Sequence, residues 1–252
     1  PLMIASAPGI GKSDIVEQAS ARHQNRLQTF HPVTSDPTDY KGLGAIVENR
    51  AEWLPFGDLR VLIETEEPTI AFLDDLGQAP PAVQAAAMQL ILARRINGHR
   101  VSDQVTFIAA TNRRQDRAAV AGILEPVKSR FATIVELVPG LDDWIPWALD
   151  NDMPIELIAF LRFRPEFLWD FQPSAEITQQ SPCPRTCAAA GRLWARLQAA
   201  NGTIPEDMRA TVTFSAIAGA AGEAFASEFI GFARIFQQLP NPDAVLMDPA
   251  GS

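Results

Sequence analysis

The segment Ser6-Ala7-Pro8-Gly9-Ile10-Gly11-Lys12-Ser13 constrains this chain more than any other stretch. It follows a short apolar run, Pro1 to Ala5, and opens an amphipathic segment, Ser13 to His23, with apolar residues at Ile15, Val16 and Ala19. A glycine-rich turn between a buried strand and a helix aims backbone N–H groups and a helix N-terminus at one point, which suits phosphate. Pro8, Gly9, Ile10 and Gly11 then form the cradle, Lys12 is spaced to meet the β and γ oxygens of a nucleoside triphosphate, and Ser13 offers a hydroxyl to magnesium. The pattern G-x-x-x-x-G-K-[ST] begins with glycine. Ser6 stands there instead, and serine reaches positive φ only at an energetic cost.

The rest of the first half alternates short apolar runs with helical patterns, which predicts an α/β fold with a parallel sheet flanked by helices. Leu27 to Val33 reads as a second strand, Thr69 to Leu73 as a buried third, Val105 to Ala110 as a fourth and Ala132 to Leu137 as a fifth. Ala79 to Arg95 is a helix opened by Pro80-Pro81, where missing N–H groups cost least. After Pro139 the pattern is helical only: Trp144 to Leu149, Ile155 to Arg162, Thr186 to Ala199 and Pro205 to Gln238. Residues 1–139 therefore read as a nucleotide-binding core, 140–240 as a small all-helical lid domain, and 241–252 as a flexible tail. Pro165, Pro173, Pro182 and Pro184 mark Arg164 to Pro184 as an irregular connection.

A phosphate loop needs a carboxylate at the end of a neighbouring buried strand to hold the magnesium shell opposite the loop hydroxyl. Ile70-Ala71-Phe72-Leu73-Asp74-Asp75 supplies it: Asp74 on the metal side, and Asp75 where a carboxylate polarises the attacking water. Aspartate is one methylene shorter than the glutamate usual there. Asn112, after the fourth strand, is placed to set an amide beside the γ-phosphate. Arg130, in Ser129-Arg130-Phe131 before the fifth strand, suits an arginine reaching a neighbouring subunit's site, with a solvated surface ion pair as the alternative.

Bulk properties exclude other classes. A formal charge of −9 and a pI near 4.9 argue against a broad nucleic-acid surface. No apolar run reaches the length of a membrane span, so the cytoplasm is the expected compartment. Cys183 and Cys187, four apart with no histidine nearby, match neither a redox pair nor a zinc site.

These motifs together resemble AAA+ ATPases, and within them the MoxR-like group. The likeness rests on Ala7 to Ser13, Phe72-Leu73-Asp74-Asp75-Leu76-Gly77-Gln78-Ala79-Pro80, Ala110-Thr111-Asn112-Arg113, Val127-Lys128-Ser129-Arg130-Phe131 and Ser181-Pro182-Cys183-Pro184-Arg185-Thr186, in that order. The resemblance implies ATP and Mg2+ as cofactors. It makes Lys12 and Ser13 the Walker A residues, Asp74 and Asp75 the Walker B pair, Asn112 sensor one, Arg130 an arginine finger, and Arg185 a lid-borne sensor two at the γ-phosphate. Asp36 to Gly44 and Trp53-Leu54-Pro55 resemble loops of the group, one of which is expected to face a central pore. The chain begins at strand one, so the segment that helps enclose adenine in such ATPases is expected to lie outside it.

By the same resemblance the expected function is ATP hydrolysis in a homo-oligomeric ring, a hexamer, that remodels or activates a client, typically a von Willebrand factor A-domain protein. Ser6 and Asp75 motivate an alternative, a nucleotide-binding switch or scaffold with weak or no hydrolysis. A small-molecule kinase is a third possibility, and the helical lid and Arg130 suit it less well.

Overall fold

Five parallel strands form the central sheet: β1 (Leu2–Ser6), β2 (Arg26–Phe30), β5 (Thr69–Leu73), β8 (Val105–Asn112) and β9 (Thr133–Glu136), in spatial order β2-β5-β8-β1-β9. The chain leaves β1 for the far edge at β2, returns strand by strand, and passes β1 to end on the other edge. A computed structural model describes residues 1–113, 122–172, 180–200 and 202–239. The expected tail at 241–252 lies outside these residues. The chain divides into two compact units, Pro1–Val138 and Pro139–Ser252.

In the first unit every residue of β5 is buried, which is why this strand reads as a continuous apolar run rather than an alternation. Successive side chains point to opposite faces. Ala71 and Leu73 join Met3, Phe107 and the buried side of α3 (Pro81–Ala93) in one core layer, with Leu59 and Leu62 of α2 (Gly57–Glu64). Ile70 and Phe72 face the other way, onto Ile4, Ala110 and Val16 of α1 (Lys12–Arg22). The sheet thus carries helices on both faces.

Several elements depart from the sequence reading. The second strand stops at Phe30, because Pro32 opens a short 3-10 helix, Pro32–Thr34. The stretches expected as loops contain a second 3-10 helix, Pro37–Tyr40, and an antiparallel hairpin of β3 (Leu43–Val47) and β4 (Arg50–Leu54). Its turn, Glu48-Asn49, has both residues at positive φ, as a two-residue hairpin turn requires. A smaller hairpin, β6 (Arg95–Ile96) and β7 (His99–Arg100), turns on Asn97-Gly98 in the same way. Asn97 Nδ2 donates to the Lys41 carbonyl at 2.5 Å, and His99 Nε2 lies 3.1 Å from the Trp53 carbonyl, so the two hairpins are held together.

The second unit is built of α5 (Leu141–Asp150), α6 (Ile155–Phe163), α7 (Pro184–Ala199), α8 (Glu206–Ala221) and α9 (Glu223–Phe236), with a 3-10 turn at Pro165–Leu168. The helical stretch expected from Pro205 to Gln238 is made of two helices, α8 and α9. Gly222 breaks it at φ 96°, a backbone region costly for other residues, and a Cβ there would come within 2.6 Å of the Gln180 carbonyl. The core is aromatic: Phe160 meets Phe167, Phe225, Phe229 and Phe232 with ring centroids 5.4 to 5.7 Å apart. Among the described residues no helix is long and apolar enough to cross a membrane.

Candidate functional site

The parallel sheet brings the carboxyl ends of its three inner strands, β5, β8 and β1, to the same side, and the carboxyl ends of such strands are where ligands of open α/β sheets bind. The loop between β1 and α1 turns at Gly9 (φ 80°) and Gly11 (φ 101°), so the two glycines carry the left-handed backbone of the cradle. Ser6 does not. It is the last residue of β1, in extended conformation and paired in register with Asn112, so the expected cost of serine at positive φ does not arise.

Lys12 is the first residue of α1 and only 7% exposed. Its Nζ donates to Asn112 Oδ1 at 2.6 Å, to Ser6 Oγ at 3.2 Å and to the Ala7 carbonyl at 3.3 Å. Asn112, the last residue of β8, donates its Nδ2 to Asp75 Oδ1 at 3.3 Å. The ammonium needs an acceptor and the carboxylate needs a donor, so the two charges together set which way the Asn112 amide faces. Ser13 Oγ donates to Asp74 Oδ2 at 2.6 Å, from an exposed position at the mouth of the loop.

Asp74 and Asp75 follow β5 directly. Asp75 adopts a left-handed backbone, φ 53° and ψ 34°, which aspartate tolerates better than most residues. The chain then turns through Gly77, where a Cβ would overlap Thr111 Oγ1. That close approach seats the turn against the end of β8, one residue before Asn112. Beyond it, Arg113 donates its backbone N–H to the Ser6 carbonyl at 3.2 Å and pairs through its guanidinium with Glu136. In the sequence Gly77 and Arg113 stand only as parts of longer motifs, and spacing along the chain carries no signal of either contact.

One ammonium and two carboxylates leave this cluster net negative, a balance that a bound divalent cation reverses toward attraction for phosphate. Among the described residues no three His, Cys, Asp or Glu side chains are grouped to cage a metal. Ser13 and Asp74 instead offer one hydroxyl and one carboxylate, the sparse oxygen set suited to Mg2+ that keeps waters and shares substrate phosphates. The residues present therefore fit Mg-ATP.

The two predicted arginines lie on other elements. Arg130 follows a short helix, α4 (Glu125–Lys128), and is partly buried. Its Nη1 donates to Ser129 Oγ at 3.3 Å, and its Nε is buried with no hydrogen-bond partner among the described residues. Arg185 is the second residue of α7 in the second unit, with its side chain exposed.

Residues 1–131 match the family model described as the AAA domain, dynein-related subfamily. No protein of curated function matches the chain in sequence. Solved structures of Thermotoga maritima RuvB are similar: one mutant has a TM-score of 0.50 at 17% identity, covering 100% of this chain and 70% of that one. A second mutant has a TM-score of 0.48 at 18% identity with the same coverage. RuvB described as a Holliday junction branch migration motor has a TM-score of 0.42 at 14% identity. At these identities the likeness is one of fold, carried by the first of them: a P-loop NTPase sheet with helices after it. With the glycine cradle, its buried lysine and the paired aspartates in view, the match over the first 131 residues means that the chain belongs to the AAA domain family, dynein-related subfamily, as a nucleotide-binding ATPase domain.

Proposed function

We propose that this domain binds and hydrolyses Mg-ATP, working in a homo-oligomeric ring to remodel or activate a partner protein, as the MoxR-like resemblance implies. The observation that carries the catalytic part is the convergence of Lys12, Ser13, Asp74, Asp75 and Asn112 at the carboxyl end of the sheet, joined by hydrogen bonds of 2.6, 2.6 and 3.3 Å. In this reading Lys12 holds the β and γ oxygens, Pro8 to Gly11 wrap the phosphates, and Ser13 and Asp74 hold the magnesium. Bound Mg2+ supplies charge neutralisation across the phosphates. Asp75 accepts the proton of the attacking water, and Asn112 fixes the direction of that carboxylate.

Arg130 acts in a neighbouring subunit's site. Its place just after α4, with the residue only partly buried, supports that role, because part of the side chain stays open to an acceptor on another copy. Arg185 serves as the lid-borne contact to the γ-phosphate. Division into 1–139 and 140–240 as core and lid, a hexamer, a von Willebrand factor A-domain client and a cytoplasmic setting are parts of the same proposal. The net charge of −9 favours a protein client over nucleic acid, whatever RuvB itself acts on.

A second reading, a nucleotide switch with slow turnover, is favoured by Asp75. It is short for a base, and its Oδ1 is already engaged by Asn112. Steady-state phosphate release separates the two. The hydrolase reading expects turnover that Lys12→Ala abolishes and Arg130→Ala reduces, with Arg130→Ala rescued by mixing in subunits whose arginine is intact. Binding of ATP with no phosphate release above the Lys12→Ala background sinks hydrolysis and leaves the switch.

A further inference from the structure

The hydroxyl of Ser6 is wholly buried, at 0% exposure, and its bonds run in a fixed direction. Oγ donates to the Ala7 carbonyl at 2.8 Å, which turns a lone pair toward Lys12, and Lys12 Nζ donates into it at 3.2 Å. An ammonium has three protons. Ser6 Oγ, the Ala7 carbonyl and Asn112 Oδ1 already stand within reach of this one among the described residues. Glycine, the residue that the phosphate-loop pattern places first, has no side-chain oxygen to add.

We propose that Ser6 is a positioning residue that sets nucleotide affinity by competing with phosphate for the Lys12 ammonium. To meet a phosphate oxygen, Nζ must give up one of its protein acceptors. The Ser6 bond is long, yet its hydroxyl is held in place by Ala7 and cannot turn away, so the competing oxygen persists. Position 6 therefore weakens triphosphate binding through Lys12, without itself touching the ligand. Ser6 carries no backbone cost, since the residue is extended. Its effect is that of an oxygen atom in the wrong place for tight binding. The inference rests on the proposed role of Lys12 at the nucleotide phosphates.

The test is a double-mutant cycle on the full chain, with Mg-ATP and adenosine as ligands and calorimetry as the readout. Ser6→Ala deletes only the competing hydroxyl, and Ser6→Gly does so while restoring the pattern residue. Both are expected to tighten ATP by about two- to tenfold, the worth of one net hydrogen bond. Adenosine, which has no phosphate for Lys12, is expected to bind with unchanged affinity. In the Lys12→Ala background the same substitutions are expected to do nothing, because the coupled partner is gone. Unchanged or weaker ATP binding in both Ser6 variants, while Lys12→Ala still weakens ATP binding, overturns the inference and leaves the ATPase reading standing. Equal tightening of ATP and adenosine also overturns it, since the effect then does not pass through the ammonium. Full ATP affinity in Lys12→Ala overturns both the inference and the proposed role of Lys12.

Discussion

The interiors of the two units are made of different material. Among the described residues, all eight buried polar or charged side chains belong to the first unit: Ser6, Lys12, Ser20, Thr65, Thr69, Gln84, Thr111 and Asn112. The core of the second unit is instead a cluster of interlocking phenylalanines with Trp144, Trp194 and aliphatic neighbours. A buried polar group is costly unless it is hydrogen-bonded. The Ser20 hydroxyl is buried with no partner among the described residues, whereas for Lys12 and Asn112 that cost is met by a network that doubles as the candidate site, with Lys12 reaching Asn112 and Asn112 reaching Asp75. Gln84 shows the same economy away from it, donating to the Ala79 and Gly122 carbonyls and accepting from the Leu124 N–H. The first unit thus carries chemistry in its interior, and the second is held by packing, with its one predicted functional residue, Arg185, on the surface.

The largest effect that sharpens this contrast is expected from Phe160→Ala. Removing a ring that touches four others leaves a cavity, and a loss of about 3 to 5 kcal/mol of stability is expected in denaturant unfolding. A loss below about 1 kcal/mol means that the second core is not held by packing, and the comparison breaks.

Gly77→Ala probes the first unit by the opposite route. The new methyl meets Thr111 Oγ1 beside Asn112, so a loss of about 1 to 3 kcal/mol is expected together with a fall in ATP turnover. Loss of stability with turnover intact would separate the fold of this turn from the candidate site.

Asp75→Glu is expected to raise turnover by about tenfold, since a 1 Å placement error is worth on the order of a hundredfold and the longer side chain corrects part of it. A small stability cost accompanies it, because glutamate tolerates the left-handed backbone at φ 53° less well than aspartate. Turnover at or below the parent rate discards the idea that the short base limits hydrolysis.

The smallest effect concerns Cys187, whose thiol burial pushes well above its ordinary value of 9.0. The folded state keeps this proton where the unfolded chain releases it. The stabilising contribution is therefore complete below pH 9 and is lost as pH rises beyond it. Cys187 is expected to resist alkylation at pH 8 in the folded protein and to react in denaturant; rapid labelling of the native thiol would show that this core opens.

The hairpins show why part of the fold was not legible. Every residue of β4 is exposed, as are Leu43, Gly44 and Ile46 of β3, so no face alternates between core and solvent and the period-2 signal is absent. The one local cue was Asn97-Gly98, a hairpin turn between strands of only two residues each. The eight-residue α2 is too short for periodicity to stand out. By contrast β5 and α3 are long apolar runs with clear punctuation, and the expected strand coincides with the observed Thr69–Leu73.

By itself the sequence determined the local chemistry: a glycine loop after a strand, the lysine and serine that follow it, two aspartates closing an apolar strand and an asparagine closing another. These are properties of short segments, in which residue type and spacing settle backbone conformation. Only the tertiary structure decided that β8 lies between β5 and β1, which brings residues 100 positions apart within 2.6 Å of each other. It also decided that Ser6 is extended and turned toward Lys12, because the conformation of that residue is set by pairing with Asn112 across the sheet rather than by its neighbours in the chain. A serine that read as a flaw in the loop backbone is, in the folded molecule, an acceptor placed beside the lysine.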